Sequence, residues 1–545
     1  MPDRRGPAPT CPYGTRTEPR RAAQEPVRAG PVRKQSGLPV RTGGRCGKLD
    51  TMRTAHRVET VRAAEKRLMD RLPDGALMAR AATGLATAAA ELLGRVYGSR
   101  VCLLVGSGDN GGDTLYAGAA LARRGAGVTA VLLSPARAHA GGLAALRAAG
   151  GLVLEAPEGA EGADVPGEVT RRVREADLVL DGIVGIGGKG GLRPVAARLA
   201  RAAHEGRPAL LAVDLPSGID ADSGEVDGEA VRADATVTFG TYKPGLLIDP
   251  GREHVGALRL VPIGIEPGAP DLEAFQYADV AALLPVPGVE SDKYRRGVVG
   301  IAAGSARYPG APVLAVTGAL RGGAGAVRYA GPAADAVTAR HPETLVSSGL
   351  PSEAGRVQAW VVGPGLGDGD EARAALDDVL ATDVPLLMDA DALSLAGPDR
   401  ISARTAPTLL TPHAGEAARL LGADRADVEA RRLDAVRELA DRLGATVLLK
   451  GSTTLVADPG GTSPVRVNAT GTSWLATAGA GDVLSGLAGS LLATGLSPRD
   501  AASAAAHLHG LAARRAAGGG RGGAPITAYD VAEAIPGAWR DVREG

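Results

Sequence analysis

Short apolar runs bounded by Gly, Pro or Asp recur along most of the chain. In the first half they fall at residues 100–105, 128–133, 178–180, 210–213, 236–239 and 258–261, with helical periodicity between them, clearest at 114–124. Ahead of these runs, Val58, Val61, Leu68 and Met69 mark one helical stretch, and residues 76–97 mark another. Short buried strands alternating with helices predict βαβ units and a mostly parallel sheet. The alternation fades across residues 264–287, where Pro267, Pro270, Pro285 and Pro287 interrupt it. That loosening predicts a domain boundary. A second series then supplies strands at 297–302, 359–362, 385–388, 408–410 and 446–449 and a helix at 311–321. Residues 474–492 hold the last strong helix signal. The expectation is an α/β protein of two domains, 52–270 and 280–545.

Length, composition and charge add to this picture. The 545-residue length suits two domains, since soluble domains run to about 100–250 residues. Residues 1–50 hold 11 Lys and Arg against 4 Asp and Glu, are rich in Pro and Gly, and show no apolar period. Residues 1–51 therefore read as a disordered basic extension, expected to lie upstream of a true start at Met52. The net charge of the chain is zero, so no general electrostatic case exists for nucleic acid or an anionic membrane. The three cysteines, Cys11, Cys46 and Cys102, cannot build a disulfide framework or a zinc site. No unbroken apolar run reaches the roughly 18 residues of a membrane span, and the N-terminus lacks a secretory apolar region. A cytoplasmic setting is expected.

Three strand ends in the first half carry chemistry. The run at 100–105 leads into Gly106, Ser107, Gly108, Asp109, Asn110, Gly111, Gly112 and Asp113, then a helix. Glycines let backbone approach a ligand closely, and a helix N-terminus favours anions. The same residues also make good turns. The run at 178–180 ends in Asp181 and the glycine-rich Gly185, Ile186, Gly187, Gly188, Lys189, Gly190 and Gly191; the run at 210–213 ends in Asp214, Leu215, Pro216, Ser217 and Gly218. One such Asp usually caps the next helix. Three in register, at the strand ends where open α/β sheets bind ligands, favour a site. Their oxygen donors suit a group I or II cation rather than zinc.

In the second half, Ala478, Gly479, Ala480, Gly481 and Asp482 open a helix. Small residues let successive amides face one anion, and Asp482 can take a proton from a hydroxyl held beside it. Phosphoryl transfer to an alcohol needs that arrangement. Around it, Lys450, Gly451, Ser452, Thr453 and Thr454 form a loop able to contact nucleotide phosphates. His413 follows the run at 408–410, and Gly363, Gly365 and Gly367 follow that at 359–362. Asp389 and Asp391 follow that at 385–388 and could orient water or magnesium, or cap the next helix. His413 alone would more often be a capping or packing histidine.

The first-half motifs resemble the YjeF N-terminal family, a Rossmann-like NAD(P)H-hydrate epimerase that holds potassium. The resemblance implies potassium ligands at Asn110, Asp181 and Ser217. It implies substrate contacts at Asp109, Asn110, Gly111, Gly112, Asp113, Gly185 through Gly191 and Asp214, with Asp214 the choice for acid/base work. The family loop usually reads Asn-Asn-Gly-Gly-Asp-Gly; this chain has Asp109 and Thr114 at the outer positions. The second-half motifs, together with Lys293, Tyr294, Arg295, Arg296 and Gly297 and with Ala303, Gly304, Ser305, Tyr308, Pro309, Gly310 and Ala311, resemble the ribokinase-like NAD(P)H-hydrate dehydratases. Bacterial members of that family use ADP. This implies hydrate contacts at Ala311, Gly365 or Gly367, His413 and Asp482, and nucleotide contacts at Lys450, Gly451, Ser452, Thr453, Thr454 and Gly481. It also implies Mg2+ with ADP, and Asp482 as catalytic base. Ala480 stands where that family often has Thr. The resemblance implies NADH and NADPH hydrates and ADP as small-molecule partners, no nucleic acid or membrane partner, and a homo-oligomer. A vitamin or sugar kinase fused to a Rossmann-like ligand-binding module is the alternative.

Overall fold

The computed structural model describes residues 52–157, 165–518 and 522–545. The expected basic extension, with Cys11 and Cys46, lies outside the described residues. The chain enters through β1 (Arg53–Ala55) and α1 (Val58–Met69), followed by α2 (Ala76–Leu93). α2 has 18 residues and a mean hydropathy of 1.2, long and apolar enough to cross a membrane. A search for an unbroken apolar run misses it because Arg and Thr interrupt the Ala-rich stretch. Its Leu85 and Ala89 are fully buried in the core beside the first sheet.

The first sheet has seven strands among the described residues. They are β2 (Arg100–Val105), β3 (Gly127–Leu132), β4 (Leu152–Glu155), β5 (Leu178–Gly182), β6 (Ala209–Val213), β7 (Ala235–Phe239) and β8 (Ala257–Val261). Their order is β4-β3-β2-β5-β6-β7-β8, and every neighbouring pair is parallel. Helices cover both faces, so the central strands read as continuous apolar runs. Leu103, Leu180 and Leu211 pack to one side with α2, and Leu104, Val179 and Leu210 to the other with the helix Pro194–Gly206. α3 (Asp109–Arg123) starts five residues before the expected 114. Gly108, at φ 96°, turns the chain so that Asp109 to Asp113 become its first turn.

The second sheet is built from β9 (Leu272–Ala274), β10 (Val298–Ala302), β11 (Ala326–Ala330), β12 (Leu345–Ser347), β13 (Ala359–Val362), β14 (Leu386–Met388), β15 (Thr408–Leu410), β16 (Thr446–Leu449), β17 (Thr454–Ala457) and β18 (Val465–Asn468). With β1 at its edge, the order is β1-β9-β18-β17-β16-β15-β14-β13-β10-β11-β12. β16 through β12 run parallel, while β17 is antiparallel to both neighbours. The stretch 264–287 is therefore not structureless: it holds β9 and the helix Tyr277–Leu283. Three strand residues are too few to show a period. β1 pairs with β9, so residues 53–55 join the sheet of the second half.

Two helices, Pro498–Ala516 and Ala528–Glu544, lie beyond the last expected one. In Pro498–Ala516, 12 of the 19 residues are buried. A helix enclosed nearly all round shows no polar stripe from which to read a period.

Candidate active sites

In a doubly wound sheet the strand order reverses beside the first strand, and the loops leaving the flanking strand ends part to form a crevice. Here the reversal lies between β2 and β5. A cavity of about 700 Å³ opens at this point. Gly106 passes beneath the exit of β5: its N–H donates to Gly182 O at 3.1 Å, and a Cβ there would lie 1.8 Å from Ile183 O. Asp109, Asn110, Asp113, Gly185, Ile186, Gly187, Gly188, Lys189, Gly190, Gly191 and Asp214 all line the cavity. Gly111 and Gly112 are set back in the first turn of α3, facing Gly106 O and the side chains of Met78 and His139. Asp109 is exposed at the rim. Thr114 is buried; its hydroxyl donates to Asn110 O at 2.7 Å and has room only because Gly182 stands opposite.

Asp181 is fully buried, and Ser217 gives it both its backbone N–H, at 2.8 Å, and its hydroxyl, at 2.7 Å. The Ser217 oxygen also lies 3.3 Å from Val184 O. Burial raises the Asp181 carboxyl to about 6, against the lowering effect of these Ser217 hydrogen bonds. Both side-chain polar atoms of Asn110 are buried without a partner. That amide stands against Gly185, where a Cβ would lie 3.4 Å from Asn110 Oδ1. The Asn110 amide oxygen, the Asp181 carboxylate, the Ser217 hydroxyl and the Val184 carbonyl are hard oxygen donors of the kind that suit a group I or II cation.

Asp214 adopts a left-handed conformation, φ 68°, at the end of β6. Its Oδ1 accepts from Lys243 Nζ at 2.6 Å, Thr238 Oγ1 at 3.1 Å and Phe239 N at 3.3 Å. Lys243, with its side chain 1% exposed, also donates to Thr238 Oγ1 and Phe239 O, both at 3.0 Å. Sequence reasoning misses this lysine because it follows β7 with no glycine-rich signature around it. The helical stretch from Val58 to Met69 is expected and present as α1, but sequence reasoning misses that it brings Arg62, Glu65 and Met69 into the cavity wall. Burial, then Asp214, raises the Asp113 carboxyl well above its ordinary value, and one of its oxygens has no partner. Burial likewise raises Glu65, although Lys243 opposes it.

In the second half, β14, β15 and β16 end side by side and present Asp389, His413 and Lys450. The helix Ala480–Ala493 aims its N-terminus at them, with Asp482 in its first turn. Lys450 Nζ donates to Asp389 Oδ1 at 2.7 Å and lies 3.9 Å from Glu416 Oε2. Ser485 Oγ donates to Asp389 Oδ2 at 2.6 Å. A Cβ on Gly481 would lie 3.5 Å from Lys450 Nζ, so the Gly481 backbone runs beside the ion pair. Burial would lower the Lys450 ammonium, but Asp389 and Glu416 reverse this and hold it above the usual lysine value. Asp482 is pushed up to about 7, by burial first and the Asp389 charge second, with Lys450 opposing.

Asp391 Oδ2 accepts from Gly367 N at 2.8 Å, and Ser305 Oγ donates to Gly365 O at 2.9 Å. A Cβ on Gly365 would meet Ala311 Cβ at 2.7 Å, so Ala311, Gly365 and Gly367 share one wall. Asp389 and Asp391 thus tie loops together rather than cap a helix. His413 does cap one: its Nδ1 accepts from Gly415 N at 2.9 Å and Glu416 N at 3.2 Å. Its Nε2 lies 3.4 Å from Glu416 Oε1, and the side chain is 54% exposed. Within the loop 450–454, among the described residues, Lys450 is the one that reaches Asp389 and Glu416. Gly451 lies over the Arg432 guanidinium, and Thr454 begins β17. The Ser452 hydroxyl donates to Asp249, and the Thr453 hydroxyl accepts from Asp249 N at 3.1 Å. Glu416 and Ser485 follow His413 and Asp482 by three residues each, whereas Asp249 joins this neighbourhood through packing distant in sequence, which no local motif announces.

Family models match both halves. Residues 74–245 match the YjeF-related protein N-terminus, and residues 299–536 match NAD(P)H-hydrate dehydratase. The bifunctional NAD(P)H-hydrate repair enzyme Nnr of Mycobacterium tuberculosis is 51% identical over 459 residues, covering 83% of this chain and 92% of that one. Its Mycobacterium leprae counterpart is 50% identical, covering 88% and 97%. An ADP/ATP-dependent NAD(P)H-hydrate dehydratase structure from Bacillus subtilis aligns with 49% of this chain and 97% of its own, at 28% identity and a TM-score of 0.45. Two sites at the strand ends of two sheets, matched in the same order along nearly whole-length relatives, place the chain in the family of bifunctional NAD(P)H-hydrate repair enzymes.

Proposed function

We propose that the two sites act in series on one damaged cofactor, the first assigned to residues 52–270 and the second to 280–545. The chain is an epimerase and a dehydratase of NAD(P)H hydrates. Hydration of the reduced nicotinamide ring puts a hydrogen on C5 and a hydroxyl on C6, next to N1. Both C6 epimers form, and the dehydratase takes the S form.

In the first site, inversion at C6 needs a bond at that carbon to break and re-form, with a group that accepts and returns a proton. Asp214 is our assignment. Its Oδ1 is held by three donors, and its Oδ2 has no partner among the described residues. The cations Arg62, Arg137, Lys189 and Arg193 around the cavity suit the pyrophosphate of a dinucleotide. Asn110, Asp181 and Ser217, with Val184 O, would hold potassium, whose charge would offset Asp181 and brace the β5 and β6 loops.

In the second site, Asp482 takes the proton of the C6 hydroxyl, whose oxygen attacks the terminal phosphorus of ADP and releases AMP. Lys450 and the amides at the start of the Ala480–Ala493 helix stabilise phosphate charge. The N1 lone pair then expels phosphate from C6, and loss of the C5 proton restores the C5=C6 double bond. Mg2+ commonly binds through one or two carboxylates plus substrate phosphates; Asp391 would supply the carboxylate, because both Asp389 oxygens are already engaged.

The observation that carries this reading is Asp482 set beside the Lys450–Asp389 pair at a helix N-terminus. Mixed R and S hydrates of NADPH supplied with ADP should return fully to reduced cofactor. Asp482→Asn should stop that return while the epimers still interconvert, and replacing potassium with lithium should slow the interconversion. A stable phosphorylated small molecule, with no gain in reduced-nicotinamide absorbance, would overturn the reading in favour of a kinase.

A further inference from the structure

The segment following β7 touches both sites. At one end Lys243 holds Asp214 in the first cavity. Four residues on, Leu247 and Ile248 are buried in the same core cluster as Leu410, Val447 and Leu455 of the second sheet. Asp249, 8% exposed, then meets the turn between β16 and β17 from outside that half of the chain. Its carboxylate accepts the Ser452 hydroxyl, and its N–H donates to Thr453 Oγ1 at 3.1 Å. Beneath the same turn lies Arg432, 5% exposed, which donates to Lys450 O at 3.1 Å and Thr453 O at 2.9 Å. Asp249 and Glu429 are the acids whose charges offset the burial of that guanidinium. The turn is thus gripped from two sides, by Arg432 of its own half and by Asp249 of the other.

We infer that Asp249, a residue of the epimerase half, is a positioning residue for the nucleotide loop of the dehydratase half. This rests on the reading of residues 450–454 as that loop. The Ser452 proton is committed to Asp249, so this hydroxyl does not donate to phosphate; it anchors the turn. The anchoring fixes the backbone that follows Lys450, and Lys450 is the residue that reaches the acid cluster. A freer turn must be ordered when nucleotide binds, and that cost appears in nucleotide affinity rather than in the chemical step.

The test uses the whole enzyme. Asp249→Ala should raise the KM for ADP about tenfold, the scale of one charge-assisted hydrogen bond. The kcat at saturating ADP, the KM for S hydrate and the epimerisation rate should be unchanged. Asp249→Asn, which keeps an acceptor for Ser452, should recover most of the ADP affinity and guards against misfolding of the alanine variant. Ser452→Ala added to Asp249→Ala should cost little more, because both act through one contact. Gly451→Val, which drives a side chain into Arg432, tests the loop itself. If it raises the KM for ADP and Asp249→Ala does not, the inference falls and the loop reading stands. If neither variant moves it, the loop reading falls and takes the inference with it.

Discussion

Asp214 is a buried aspartate and Asp482 a half-buried one, and their neighbours differ as well. Desolvation first, and then the charge of Asp389, only partly offset by Lys450, hold the Asp482 carboxyl at about 7. A base must be ionised to act, so the dehydration rate should climb as pH rises through neutrality and level off above it. Removing the neighbouring charge with Asp389→Asn should move that rise to lower pH, which a kcat–pH profile would read. An unmoved profile would mean that Asp482 does not carry the rate. Asp214 instead meets an ammonium 2.6 Å away with 1% of the lysine side chain exposed. Breaking a buried pair leaves an uncompensated charge and costs roughly 3–5 kcal/mol. Lys243→Met should therefore lower denaturation free energy by that order and abolish epimerisation, while dehydration of pure S hydrate persists in the fraction that stays folded.

At the scale of elements, the reversal of strand order between β2 and β5 builds the first cavity. Gly106 is required there by contact rather than by its dihedral angles, since a methyl would sit 1.8 Å from Ile183 O. Gly106→Ala should push the β5 loop outward and displace Asp181 and the residues that follow it. Epimerisation should be lost, with no change in the KM for ADP, and a crystal structure would show the loop shift. The glycine-rich motif and the three strand-end aspartates are legible in the chain, because turns and caps are set by neighbours in sequence. α1 as a cavity wall is not legible: its periodicity shows that one face is buried, and nothing local says against what. His413 is instructive in the same way. Its cap with Glu416 is a local fact, whereas its nearness to Lys450 depends on strand order.

At the scale of the whole molecule, the two halves are sewn together twice. β1 pairs with β9 on the outer edge of the second sheet, and Leu247 and Ile248 enter its core. A fragment of residues 280–545 lacks both, and lacks β9 itself. It would bare the edge of β18 and an apolar hole where Ile248, fully buried in the intact chain, belongs. Such a fragment should aggregate or melt well below the full chain in size-exclusion and thermal measurements. A fragment starting at residue 240 should recover part of that loss. Equal stability of the two fragments would show that the segment 242–249 contributes no packing.

The sequence by itself determined the class of the fold and the chemical parts. Apolar runs of strand length, the glycine loops, and the acids placed just after strands are properties of a few neighbouring residues. They survive any change of global arrangement. Tertiary structure decided what those parts face. It set Lys243 on Asp214, Asp389 and Lys450 beside Asp482, and Asp249 on a loop some 200 residues away. These are relations of charge and burial between distant positions. Strand order and interdomain packing fix them, and no window along the chain contains both partners.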